Sequence, residues 1–312
     1  MIVDAYCHVG LPRFGSVENA LAVARIFGVD RSVLVLGPMV PDFESLFRAI
    51  RQYPDRVRGI GVPFGDNERQ QAEVADIQVR AGISGIRLSG DEILKCPSVV
   101  DLFGMAGRWI YAVGLIDNPP AAEALIDWLE RYPASRVAAP HFLRPDTAVI
   151  EPPLADLVKH PRFHPIFSRH GGMGSQLAYP HADFRPWVDD VLALSGWDQV
   201  MFGSECPVLF WRDETMSSCF DWIHQITDGQ KPEQIESFLG GTAKRLLFDQ
   251  PPPEREEVEI PDWIEDGFDP SRTVPLWDGR EVSMTDIESW QKKYVDVLKQ
   301  DSGAKFSTIA HQ

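Results

Sequence analysis

The sequence predicts an α/β protein, a (β/α)8 TIM barrel with a C-terminal extension. Three observations carry that prediction. Eight short apolar runs, each followed by a helix-like run, fill residues 2–248. Strand–helix alternation implies a parallel sheet, and eight units in a span of ~250 residues suit a closed barrel. The runs are apolar throughout rather than alternating, as strands buried on both faces are. Chemistry-bearing side chains follow the carboxyl ends of these runs, where a barrel collects its active site. A doubly wound open sheet is the competing architecture, but no G-x-G-x-x-G or G-x-x-x-x-G-K-[ST] phosphate loop follows any run.

In order, the first strand covers residues 1–9, and simple alternation would put Asp4, Tyr6 and His8 on one face. Ser16 is placed to cap a helix from Val17 to Phe27 that ends at Gly28. Ser32 to Leu36 is the second strand, and Asp42 caps the next helix, which runs through Tyr53. Val57 to Pro63 is a strand, Asn67 caps a helix to Ala81, and Ser84 to Ser89 is a strand carrying Arg87. A helix from Val99 to Gly107 precedes the strand Trp109 to Ile116, and the helix Ala121 to Tyr132 precedes the strand Arg136 to Pro140, which stops at His141. A short helix, Pro153 to Lys159, leads to the strand Phe163 to Phe167 and then to Ser168-Arg169-His170-Gly171-Gly172. Phe184 to Leu194 is a helix, and Val200 to Phe202 is the last strand, halted at Gly203 and followed by Ser204-Glu205-Cys206-Pro207. Helices from Met216 to Ile226 and from Glu233 to Phe248 complete the pattern.

Composition changes after Gln250. Pro251-Pro252-Pro253 stops the helix, which divides the chain into a barrel, residues 1–250, and an acidic extension, residues 251–312. The extension holds 14 acidic and 7 basic side chains, so −7 of the net −16 lies there. It also carries Trp263, Trp277 and Trp290 and a helix-like run from Met284 to Lys299. That content suggests a segment packed on the barrel or on a second subunit in a homodimer.

The net charge of −16 argues against nucleic acid and anionic membrane surfaces as partners. It leaves open a small anionic substrate, because a few local arginines can override the overall field. No apolar run reaches the ~18 residues a membrane span needs. Cys7, Cys96, Cys206 and Cys219 show neither close pairing nor zinc-ligand spacing. The N-terminus has no basic region or cleavage site. A cytoplasmic protein with free thiols is expected.

In a barrel the strand ends meet at one mouth, so His8, His141 and Glu205 would converge there with Tyr6, Arg87, Arg169 and His170. Two imidazoles and a carboxylate could hold a divalent metal ion. They could equally act without metal as an acid–base cluster. Arg87 and Arg169, with His170, suit a substrate carboxylate, because the guanidinium fork matches carboxylate geometry. The glycines at 171, 172 and 174 would free the following loop to close on a ligand.

Several segments resemble the amidohydrolase-related (amidohydrolase 2) family of barrel enzymes, which includes pyrone-dicarboxylate-type lactonases and non-oxidative decarboxylases. Val200-Met201-Phe202-Gly203-Ser204-Glu205-Cys206-Pro207 is similar to its strand-8 motif. Ala139-Pro140-His141 resembles its strand-6 motif, and Phe238-Leu239-Gly240-Gly241-Thr242-Ala243-Lys244-Arg245-Leu246 its closing helix. Asp4-Ala5-Tyr6-Cys7-His8 resembles the first-strand Asp-x-His-x-His, and Gly85-Ile86-Arg87-Leu88 the strand-4 segment with a substrate-binding Arg. Two positions depart from the pattern: Tyr6 stands for the first strand-1 histidine, and Glu205 for the strand-8 aspartate. No histidine occurs in the fifth strand, where some metal-dependent members use one. A phenol, with a pKa of ~10, is a poor zinc ligand at neutral pH. One zinc or manganese ion held by His8, His141 and Glu205, or none, is therefore expected. The resemblance implies hydrolysis of a lactone or other cyclic ester, with Glu205 activating water, His8 and His141 (or a metal they hold) polarising the carbonyl, and Tyr6 donating to its oxygen. The alternatives are metal-dependent non-oxidative decarboxylation and a catalytically lapsed barrel that serves as a binding subunit.

Overall fold

The computed structural model describes residues 1–143, 149–168, 177, 182–211, 216–266, 268–269, 271, 273–275 and 281–283. Eight parallel strands form one sheet in sequential order: β1 Val3–Val9, β2 Arg31–Leu36, β3 Val57–Gly61, β4 Gly85–Ser89, β5 Trp109–Val113, β6 Arg136–Ala139, β7 Phe163–Phe167 and β8 Met201–Phe202. The sheet is a nearly closed (β/α)8 barrel. β8 is only two residues long, so backbone bonds from the segment after it complete the seam with β1. The Glu205 N–H donates to Tyr6 O (2.8 Å), and the His8 N–H donates to Cys206 O (2.7 Å).

Two apolar layers follow from the strand pattern. Inward residues, among them Val33, Val35, Ile60, Ala138, Ile166 and Met201, fill the barrel with Ala243 and Leu247 of the closing segment. Outward residues pack under the helices in a larger cluster that includes Phe27, Phe47, Phe103, Trp128 and Trp187. Helices at Val17–Ile26, Phe43–Gln52, Glu68–Arg80, Pro119–Arg131, Leu154–Val158 and Arg185–Ser195 connect the strands as expected. Between β4 and β5 there are two helices, Gly90–Lys95 and Pro97–Met105, where the sequence suggests one. The extra helix begins at a Ser89–Glu92 capping box. Ser16 and Asn67 cap their helices through side-chain oxygens, but Asp42 does not. Its carboxylate instead accepts the Leu11 N–H (3.0 Å), which ties the loop after β1 to the second helix.

The segment after β8 contains helices Met216–Thr227 and Pro232–Glu236 and then wide π-helical turns at Ser237–Gly241 and Lys244–Phe248. Gly240 lets this segment rest on the start of β1, since a Cβ there would lie 2.5 Å from Met1 O and 2.9 Å from Val3 N. Past the prolines, Arg80 pairs with Glu256 (2.9 Å), Arg255 donates to Ile50 O (2.7 Å), and Trp263 stacks on Phe64 at 6.4 Å. Thr273–Pro275 and Glu281–Ser283 form an antiparallel pair. Trp277, Trp290 and the helix-like run from Met284 to Lys299 lie outside the described residues. No helix among the described residues is long and apolar enough to cross a membrane.

Candidate active site

The site begins with an irregularity in β1. Pairing with β2 shifts register between Asp4 and Cys7, so Ala5 and Tyr6 both enter the barrel interior while Cys7 and Val9 face the outer helices. A bulge of this kind adds one residue and breaks the two-residue alternation. Asp4 therefore does not share a face with Tyr6, contrary to the simple pattern. Its buried carboxylate accepts from the Ser204 hydroxyl (2.6 Å), the Ser204 N–H (2.9 Å) and the Tyr6 N–H (3.1 Å). Burial pushes the Asp4 pKa up, and the bonds from Ser204 and Tyr6 offset part of that rise. The Ser204 hydroxyl in turn accepts the Cys206 N–H (3.0 Å). Asp4 thus fixes the turn that carries Glu205, a role sequence reading did not assign to it.

Backbone conformation aims the other groups. Glu205 has φ 53°, and His141, Phe142 and Leu143 have φ 62°, 48° and 68°. Left-handed values are costly for residues with a Cβ, and runs of them concentrate where structure serves a site. At His141 this curl brings ring and backbone to one hydroxyl: Ser168 Oγ accepts the His141 N–H (2.8 Å) and lies 3.1 Å from Nδ1. The Ser168 hydroxyl thus holds both the backbone and the ring of His141 in place. Nε2 lies 3.7 Å from Glu205 Oε1. Glu205 is 1% exposed. Gly203 makes room for this arrangement, since a Cβ there would fall 2.8 Å from Tyr6 Cβ and 3.1 Å from Ser168 Cβ.

Tyr6 is the hub. Its ring meets His8 edge-on (centroids 4.8 Å) and His141 edge-on (5.4 Å), and it stacks on Tyr111 at 6.3 Å. Its hydroxyl oxygen accepts from Arg87 Nε (3.1 Å). The Tyr111 hydroxyl is buried without a hydrogen-bond partner among the described residues, and burial pushes its pKa well up. His8 lies 3.3 Å from Val35 O through Nδ1. A carbonyl only accepts, so Nδ1 carries the proton and Nε2 keeps its lone pair. Burial lowers the His8 pKa to about 3, and Arg87 adds to the effect against the opposing pull of Glu205. A neutral His8 of this tautomer offers an acceptor, which suits orienting a water rather than polarising a carbonyl.

Tyr6, His8, Arg87, His141 and Glu205, five of the residues expected from the sequence, therefore meet at the carboxyl ends of β1, β4, β6 and β8. Arg169, His170 and the glycines after them lie outside the described residues. Sequence reading missed Arg13. This side chain sits in a loop closed by the Gly10–Gly15 bridge and is 8% exposed. It donates to Pro38 O (3.1 Å) and lies over the Phe14 ring (4.8 Å), which stacks on His8 (4.7 Å). Its Nε is buried without a hydrogen-bond partner among the described residues. Burial, then Arg87, lowers its pKa to about 10. No carboxylate among the described residues pairs with Arg13 or Arg87. The available signal was an arginine between two glycines directly after the strand that carries Tyr6 and His8.

Residues 6–248 match the family model described as amidohydrolase. The chain belongs to the amidohydrolase family. This amidohydrolase matches no curated protein in sequence. Among solved structures it resembles a probable 2-pyrone-4,6-dicarboxylic acid hydrolase from Acinetobacter baumannii with citric acid bound, at 18% identity and TM-score 0.61 over 80% of this chain and 99% of that one. An amidohydrolase from Burkholderia multivorans with zinc bound aligns at 14% identity and TM-score 0.59, over 79% and 98%. A 5-carboxyvanillate decarboxylase from Sphingomonas paucimobilis aligns at 13% and 0.54, over 78% and 98%. Identities this low establish likeness of fold.

The described donors do not by themselves make up a metal site. Among the described residues no group of three or more His, Cys, Asp or Glu side chains is arranged to hold one. The chemistry agrees with the geometry. His8 Nε2 keeps its lone pair, but Tyr6 presents a phenol that already accepts from the Arg87 guanidinium. A neighbouring cation also disfavours a second positive charge.

Proposed function

We propose that this amidohydrolase hydrolyses a lactone or other cyclic ester of a small carboxylate-bearing substrate, with Glu205 activating water and no step routed through a metal. The observation that carries the reading is the buried Glu205 carboxylate, 3.7 Å from His141 Nε2. A water between Glu205 and His8 Nε2 gives its proton to Glu205 as its oxygen bonds to the ester carbon. The Tyr6 hydroxyl, with its oxygen held by Arg87, donates to the carbonyl oxygen as negative charge develops there. The ring C–O bond then breaks, and the leaving oxygen takes a proton from the Glu205–His141 pair. Arg87 and Arg13 hold the substrate carboxylate, and Arg169 with His170 would add to that grip. Non-oxidative decarboxylation of an aromatic or enoic acid is the second reading, because it would use the same unpaired arginines.

The test is turnover of carboxylated lactones, 2-pyrone-4,6-dicarboxylate among them, with acid release and carbon dioxide release followed separately. Glu205→Gln lowers kcat/KM by roughly 10²–10⁴, the usual contribution of a general base, and turnover persists after dialysis against a chelator. Intact turnover in the variant overturns the base role. Carbon dioxide release that needs added metal replaces hydrolysis with the second reading, and a wild-type protein inert in both assays leaves a binding barrel.

A further inference from the structure

The pole of the barrel opposite the active site carries an unexplained charge pattern. In a chain of net charge −16, arginines gather there at the strand beginnings and along the closing segment. Four of them have a structural task. Arg58 donates to Leu247 O (2.8 Å), Arg162 to Tyr132 O (2.9 Å), Arg245 to Asp198 O (2.9 Å) and Arg255 to Ile50 O (2.7 Å). These carbonyls lie at helix ends and in the turns after them, where unpaired acceptors and the negative end of the helix dipole favour a cation.

Among the described residues, Arg108 and Arg136 have no such task. They flank Trp109, one just before β5 and one at the start of β6. Neither forms an ion pair among the described residues. Arg108 Nε is buried without a hydrogen-bond partner among the described residues, and Arg136 lies over the Trp109 ring at 5.9 Å. The two residues line an open pocket of about 230 Å³ together with Arg58, Ser84 and Gln250. Burial lowers the pKa of both, Arg162 and Arg245 lower that of Arg136 further, and Glu254 opposes the effect at Arg108 through space. A half-buried guanidinium with unused donors is unfavourable until an acceptor reaches it, and its planar fork is shaped for carboxylate or phosphate oxygens.

We propose that this pocket binds a small, multiply charged oxyanion, gripped by Arg108 and Arg136, with Ser84 and Gln250 as further polar contacts. It is separate from the mouth and does not depend on the reaction proposed there. Because Gln250 follows the closing segment, a ligand would tie that segment to β5 and β6 and so stabilise the closed barrel.

The full-length protein is titrated calorimetrically at low salt with inorganic pyrophosphate and, separately, with citrate. Chloride at matched ionic strength serves as the control, and the thermal midpoint is followed in parallel. The expected result is saturable binding of at least one oxyanion with a rise in midpoint. Affinity should fall by about tenfold or more in Arg108→Gln and in Arg136→Gln, as loss of a charge-assisted hydrogen bond implies, and should be unchanged in Arg87→Met, which alters only the mouth. Pyrophosphate without citrate identifies a phosphate site, and the reverse a carboxylate site. The inference is overturned if neither oxyanion binds beyond the chloride control, if both Gln variants fold and bind as the wild type does, or if only Arg87→Met abolishes binding.

Discussion

Removing the Asp4 carboxylate should destabilise the protein out of proportion to the size of the group. Asp4 accepts three buried hydrogen bonds, from the Ser204 hydroxyl, the Ser204 N–H and the Tyr6 N–H. In Asp4→Ala all three donors lose their acceptor in a place 5% exposed. An unsatisfied buried donor costs ~1–3 kcal/mol. Allowing for partial relaxation, the loss should be about 3–6 kcal/mol, a large share of the 5–15 kcal/mol that holds a typical domain together. Asp4→Asn keeps the oxygen that both backbone N–H groups use and disturbs only the hydroxyl contact, so its cost should be about 1–2 kcal/mol. Ser204→Ala breaks the same latch from the other side and also strips the Cys206 N–H of its acceptor. Urea unfolding followed by tryptophan fluorescence gives the free energies, and the Asp4→Asn/Ser204→Ala double mutant should cost less than the sum of the singles. The latch is refuted if Asp4→Ala loses under 1 kcal/mol, or if the two sites prove additive.

Two further outcomes follow from the same structure. Arg13→Met should raise KM for a carboxylate-bearing substrate by roughly tenfold to hundredfold, the worth of one charge-assisted hydrogen bond, while kcat changes little; an unchanged KM would remove Arg13 from the anion grip. Stability should also fall on acidification, because His8 and His164 are buried with pKa values of about 3 against ~6.5 in an unfolded chain. Between those values only the unfolded chain takes up the protons, so the stabilisation present above pH ~6.5 is lost as pH drops toward 3. The two groups together should cost roughly 4 kcal/mol between pH 7 and pH 5. Urea midpoints at the two pH values test this, and His164→Gln should remove about half of the pH dependence; a midpoint flat across that range would count against both.

Much of the architecture was legible because it is local. The apolar runs mark strands, Ser16 and Asn67 mark helix starts by a side chain bonding a nearby N–H, and the polar residues directly after each run mark the mouth. That logic put Tyr6, His8, Arg87, His141 and Glu205 at one end of the barrel. It failed at Asp42, whose carboxylate is taken by Leu11 from another loop, and at Asp4, where a bulge breaks the alternation. Neither competing partner is encoded near the residue it captures.

By itself the sequence determined the number of βα units and the end of the barrel at which Tyr6, His8, Arg87, His141 and Glu205 gather. Only the tertiary structure decided which partners those side chains meet there. The barrel seam closes through backbone bonds from Glu205 and to Cys206, so closure itself positions the carboxylate against β1. Asp4 meets Ser204 across 200 positions of chain, and Arg87 meets the Tyr6 hydroxyl across 81. Hydrophobic period encodes which face a residue takes and how long a strand runs; which donor meets which acceptor is set by register and closure, properties that exist only once all eight strands have come together.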